Sequence, residues 1–305
     1  GFTHHDTIFP LFLFIAGVSF PYSVAKQRAG GMSEGRIYAK IVRRGLTLVV
    51  LGMVYNGLFK LDFENLRIAS VLGRIGLAWS IAAVLYLNFG VKTRAAIAVA
   101  VLAGYGALSA LVAAPDAAGA GPLTFEGNLA GYIDRQFLPG KLIYGSFDPE
   151  GLLSTVPAVV TAMLGMFTGE FVRRGDIRGG RKTLWMAAAA AALLAAGLAF
   201  SGVLPVNKKL WSSTFVCVVG AYSLGMFALF YYLIDVRGWR RWTLFFRVVG
   251  LNSITIYLAQ RIVGFGRISD FFLGGIASKC PEAVAAVISS AGYVAVCWLF
   301  LYFLY

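Results

Sequence analysis

The sequence predicts an all-α, polytopic transmembrane helix bundle, and three observations carry that reading. Hydrophobic residues make up 59% of the 305 and charged residues only 13%, about half the charged share of a soluble domain, with a mean hydropathy of +0.75. Nine apolar stretches recur along the chain, at 8–25, 37–59, 70–89, 94–114, 151–172, 183–203, 211–234, 243–264 and 284–305. Each is long enough to cross a hydrocarbon core of roughly 30 Å as a helix, the form that satisfies its own backbone there. A β-barrel is excluded because the stretches do not alternate apolar and polar residues. The third observation is the distribution of charge. The loops on one side, with the helix ends they join, hold 17 of the 27 Lys and Arg against four of the 14 acids, so the whole excess of +13 lies on that face. By the positive-inside rule that face is cytoplasmic.

This topology places residue 1 and the long loop 115–150 on the outer side. The chain is read as one domain over 1–305 with an outer loop insertion at 115–150. It opens at Gly1-Phe2-Thr3 without an initiating Met, and one more span is expected before residue 1. The pI near 9.8 is assigned to topology and lipid-headgroup contact rather than to nucleic acid. Cys217, Cys280 and Cys297 show no metal spacing and no disulfide framework, and no metal site is expected.

Individual segments carry further signals. In the fifth stretch, Gly165 and Gly169 form a small-xxx-small pair that predicts close helix packing, and Pro157 predicts a kink. Phe147-Asp148-Pro149-Glu150-Gly151 reads as the start of that helix, with Asp148 as N-cap, Pro149 in the first position and Glu150 at the positive helix end. The sixth stretch is alanine-rich, unbroken from Ala187 to Ala192. Trp211 is expected as an interface anchor.

Candidate chemistry clusters at the outer ends. His4, His5 and Asp6 stand at the mouth of the first span, where a histidine near neutral pH and an orienting carboxylate suit general-base work. Arg74 lies about one turn inside the third span, and intramembrane charges face cavities or partners. The outer loop supplies Asn128, Asp134, Arg135, Asp148 and Glu150, and the turn before the seventh span supplies Asn207 and Lys208 beside Trp211. In the eighth span Ser253, Tyr257 and Gln260 share one face next to Asn252. That stripe reads equally as helix–helix hydrogen bonding or as a cavity wall.

Taken in order, these segments resemble a known family. The opening run Gly1-Phe2-Thr3-His4-His5-Asp6-Thr7-Ile8-Phe9-Pro10 and its continuation to Ile15 is similar to the first block of the heparan-α-glucosaminide N-acetyltransferase family of transmembrane acyltransferases. Arg67 to Arg74, Gly131 to Arg135, Phe147 to Thr155, Pro205 to Trp211 and Asn252 to Tyr257 follow in the same order. The resemblance implies transfer of an acetyl group from cytoplasmic acetyl-CoA, as co-substrate, to the amine of a terminal glucosamine across the membrane. It also implies a bacterial inner-membrane protein with residue 1 on the periplasmic side, and a homodimer. The family's catalytic histidine falls upstream of residue 1, so Asp6 is the catalytic candidate within this chain. An outer pocket of Asp6, Asp134, Asp148 and Glu150 is expected to receive the amino sugar, with Arg74, Asn207 or Asn252 donating to the developing oxyanion. Two other readings stand beside it: a secondary transporter of a small sugar or ion, and a non-catalytic envelope assembly subunit.

Overall fold

The computed structural model describes residues 3–305. Gly1 and Phe2, which open the first family block and mark the expected outer start, lie outside the described residues. Two compact units are distinguished, Gly1–Val236 and Arg237–Tyr305. The first holds α1 (His5–Ala29), α2 (Glu34–Tyr55), α3 (Val71–Asn88), α4 (Val91–Leu111), α5 (Leu129–Phe137), α6 (Leu152–Arg173), α7 (Gly179–Ala199) and α8 (Ser213–Tyr231). The second holds α9 (Leu244–Leu251), α10 (Ser253–Ala259), α11 (Phe265–Ala277) and α12 (Glu282–Leu304). Among the described residues extended pairing is limited to two isolated bridges, Arg67 with Gly140 and Ala113 with Asn128.

Among the described residues, seven helices are long and apolar enough to span a membrane: α1, α3, α4, α6, α7, α8 and α12. Two of the nine expected spans depart from that pattern. The stretch 37–59 forms α2, but Lys40, Arg43 and Arg44 sit in its middle, and the helix stops at Tyr55 before Gly57 reverses the chain at φ 102°. The stretch 243–264 is two short helices meeting at 58°, an eighth span only if the bent pair is counted as one. The break falls at Asn252, whose side-chain amide donates to the Val248 carbonyl at 3.3 Å. Asn and Ser favour such local bonds over continued helix. The sequence reading also did not anticipate α11, which is too short and too glycine-rich to read as a span. It packs on α12 at Gly292, where an added Cβ would stand 2.4 Å from both Ser269 and Leu273.

The first unit is organised by the crossing of α1 and α6. Gly17, Gly165 and Gly169 let the two backbones touch: a Cβ at Gly165 would lie 2.0 Å from the Phe14 carbonyl, and one at Gly169 would lie 2.2 Å from that of Val18. The packing expected of the Gly165/Gly169 pair is therefore present, with α1 as the partner. Without a hydrophobic drive between helices in lipid, such close approach is the main source of association. Pro157 lies inside α6, which runs on through it. Trp79 of α3 ties to the same pair by donating its indole N–H to the Ala16 carbonyl at 3.1 Å, with Phe20 edge-on to its ring.

Gly165→Ala should separate α1 from α6 and cost about 1–3 kcal/mol, the usual range for overpacking. The check is thermal unfolding in detergent, with Gly175→Ala, where a Cβ meets open space, as the unchanged control.

Candidate functional site

The polar residues of the first unit converge where α3 and α6 begin. Arg67, in the loop before α3, grips Asp148 with both arms of its guanidinium, Nε to Oδ2 at 2.8 Å and Nη2 to Oδ1 at 2.7 Å. It also donates to Glu150. The Asp148 side chain is completely buried, and Arg67 is 19% exposed. Burial works against the charge on Arg67, but the hydrogen bonds and charges of Asp148 and Glu150 outweigh it and hold the guanidinium above its ordinary range. Asp148 also accepts from the backbone N–H of Glu150 at 2.9 Å and of Ile143 at 3.3 Å. It therefore shapes the turn before α6 rather than capping the helix. The expected N-cap is corrected on this point: α6 starts at Leu152, three residues beyond Pro149.

The cap comes from a distant residue. Asp134 of α5 accepts the Leu152 N–H at 2.9 Å and is fully buried, while its Oδ2 has no hydrogen-bond partner. The carboxylate presses on Gly151, where a Cβ would fall 2.0 Å from Oδ2. Burial pushes its pKa up to about 6, opposed by the amides of Leu152 and Asp148. The loop carrying α5 is itself strapped. Asn128 caps α5 through Gly131 N–H at 2.6 Å and donates to the Thr124 and Phe125 carbonyls. Arg135 clasps Asp116 at 2.9 and 2.6 Å and donates to the Ser146 carbonyl at 2.5 Å. Asn128 and Arg135 are thus spent on holding the long insertion together.

Arg74 lies one turn into α3 and is only 2% exposed. One nitrogen donates to Ser154, the guanidinium lies 4.9 Å over the Trp211 ring, and Nε and Nη1 have no hydrogen-bond partner. Trp211 is not the interface anchor expected of it. It is 1% exposed, at φ 51°, and that left-handed turn sends the ring inward against Phe9 and Phe215. Asn207 builds the turn by accepting the Lys209 N–H at 2.9 Å. Lys208 reaches Asp6 at 3.3 Å, and Asp6 also accepts from the Thr3 backbone and hydroxyl at 2.8 and 3.0 Å. His4 meets the Tyr222 hydroxyl at 3.1 Å.

A cavity of about 400 Å³ opens beside this cluster, lined at its polar end by Ser70, Arg74, Glu150 and Thr155. The four acids expected to share one pocket are therefore divided. Glu150 lines the cavity, Asp134 and Asp148 are sealed beneath it, and Asp6 stands at the mouth of α1. Arg67 joins the site although the sequence pattern does not mark it as a candidate beyond its place at the start of the Arg67–Arg74 block. Its signal was a lone cation seven residues ahead of another. Asn252, Ser253, Tyr257 and Gln260 belong to the second unit, so the cluster described here is built by the first alone. Among the described residues no group of three or more His, Cys, Asp or Glu is arranged to hold a metal.

These features define a multi-pass helical membrane protein with a buried arginine–carboxylate cluster over a cavity. No family model matches the chain. It is similar to the Homo sapiens and Mus musculus proteins named heparan-alpha-glucosaminide N-acetyltransferase, at 28% and 26% identity, each over 86% of this chain and 48% of the relative. The chain is related to that family, as its sequence blocks indicated, and spans about half the length of the curated relatives it matches.

Arg67→Ala should leave Asp148 buried without its partner and cost about 3–5 kcal/mol, read as loss of folded protein in detergent. The Asp134 pKa, raised from 3.8 to about 6, means that the folded state binds the extra proton in that window. Stability from this group then falls as pH rises through the window and stays reduced above it. Asp134→Asn should flatten that part of the stability–pH curve.

Proposed function

We propose that this protein is a membrane acetyltransferase that moves an acetyl group from acetyl-CoA to the amine of a glucosamine-type sugar. The relation over 86% of the chain to two proteins named as N-acetyltransferases carries the reading. The cluster supplies groups suited to it. Arg74 has two guanidinium nitrogens unpartnered in a buried setting, where a donor to a developing oxyanion is worth most. Glu150, held by Arg67 at the cavity wall, suits an ammonium or a sugar hydroxyl. Asp6 and Lys208, paired at the mouth of α1, are assigned to orienting the reacting groups there. The basic ends of the helices, among them Arg173, Arg178 and Arg181, suit the phosphates of CoA. We place them in the cytoplasm of a bacterium, with α5 and its loop in the periplasm, and assign a homodimer.

The test uses the full-length protein in nanodiscs with radiolabelled acetyl-CoA and glucosamine. Acetylglucosamine should form, and Arg74→Gln should lower kcat by about 10²–10³, the effect of losing one oxyanion donor, with the protein still folded. Absence of transfer by the wild type, or full activity in Arg74→Gln and Glu150→Gln together, overturns the reading. Sugar uptake into proteoliposomes without acetylation would favour a transporter instead. For the orientation, Ala118→Cys in a background lacking Cys280 should react with an impermeant maleimide in intact cells; protection there would reverse the assignment.

A further inference from the structure

The cavity beside Arg74 is larger and more apolar than an amino sugar requires. From its polar end it runs between α3, α4 and α6 past Leu77, Ile81, Leu85, Val101, Val159 and Met163. Arg74 to Leu85 is eleven residues of helix, roughly 16 Å along the axis, so the groove extends deep into the hydrocarbon zone. Its walls open sideways. Leu77, Ile81 and Val156 line it and are still 42%, 47% and 42% exposed, on helices that themselves qualify as membrane spans.

We propose that this groove takes the alkyl chain of a glycolipid, whose phosphate-free amino-sugar head lies at Arg74 and Glu150. Three observations select that occupant. Below Thr155 the wall is apolar, so the two amides of a pantetheine arm would be buried without partners, which is costly; a hydrocarbon chain has no such need. At the polar end, Arg74 keeps two donors unspent and Glu150 offers an acceptor, the combination that a sugar hydroxyl or glycosidic oxygen uses. Arg67 and Arg74 stand there against three carboxylates, Asp148, Glu150 and Asp134, so no excess positive charge is left to hold an anionic phospholipid head. A lipid chain gains little by leaving the bilayer for an apolar groove. The groove therefore acts by holding the head in register and by confining the acceptor to the membrane plane. Identifying that head as the acetyl acceptor rests on the function proposed above; the binding of the amphiphile does not.

The experiment measures binding of dodecyl glucosaminide to the full-length protein in nanodiscs, with free glucosamine, lysophosphatidylglycerol and acetyl-CoA as competitors. A version of the glycoside carrying a photoreactive group at the chain end maps the contact. The wild type should bind the alkyl glycoside at least tenfold more tightly than free glucosamine. Val156→Trp and Leu77→Trp, which fill the groove from its open side, should remove that tenfold while leaving free glucosamine binding unchanged, and cross-links should fall on α3 and α6. Equal binding of the two sugars, unchanged alkyl binding in both Trp variants, cross-links outside these helices, or displacement by lysophosphatidylglycerol or acetyl-CoA at lower concentration than by the glycoside itself would each overturn it. Acetyl transfer to free glucosamine with no preference for the alkyl form would remove the groove and leave the acetyltransferase standing. Tight, groove-dependent binding without transfer would do the reverse.

Discussion

The arrangement of the first unit depends on one constraint, the burial of Asp148 beneath Arg67. Burying a carboxylate is costly unless it is paired and hydrogen-bonded, and here two guanidinium nitrogens and two backbone amides engage both oxygens of Asp148. That pairing joins the loop before α3 to the loop before α6, and so brings together residues 81 positions apart. It also leaves Glu150 on the cavity wall with its charge already partnered. Without it, neither the cavity's polar end nor the approach of Arg74 to Ser154 has a fixed frame.

Arg74 illustrates the complementary principle. A guanidinium inside a membrane helix is costly unless a partner or cavity receives it. Here the receiving surface is aromatic: the face of Trp211, turned inward by a left-handed backbone. Cation–π attraction strengthens where water is excluded, yet it uses none of the N–H donors. The charge is accommodated while Nε and Nη1 make no hydrogen bond. The turn that delivers Trp211 is built by Asn207, so a residue expected to touch substrate acts in the structure through the indole four residues on.

The sequence displayed its helices well and its caps badly. Length and hydropathy are local properties, and seven of the nine anticipated spans are present as long apolar helices. The exceptions have local explanations: four cations inside α2, and an Asn-Ser pair at the break between α9 and α10. The glycines of α6 were also legible, because small residues four apart can only matter by admitting a neighbour. The helix start at Leu152 was not. Asp148-Pro149-Glu150 reads as a self-contained cap, but long-range pairing with Arg67 claimed the aspartate, and Asp134, 18 residues earlier, took its place.

What the sequence determined alone was the class of molecule: apolar runs and a one-sided charge excess dictate a helical membrane protein, because in lipid the backbone has few other ways to satisfy itself. The order of the family blocks added the relationship. Only the tertiary structure decided which polar residues are scaffold and which face open space. Burial and partnership depend on contacts between segments tens of residues apart, and no local pattern distinguishes a carboxylate sealed under an arginine from one standing at a cavity wall.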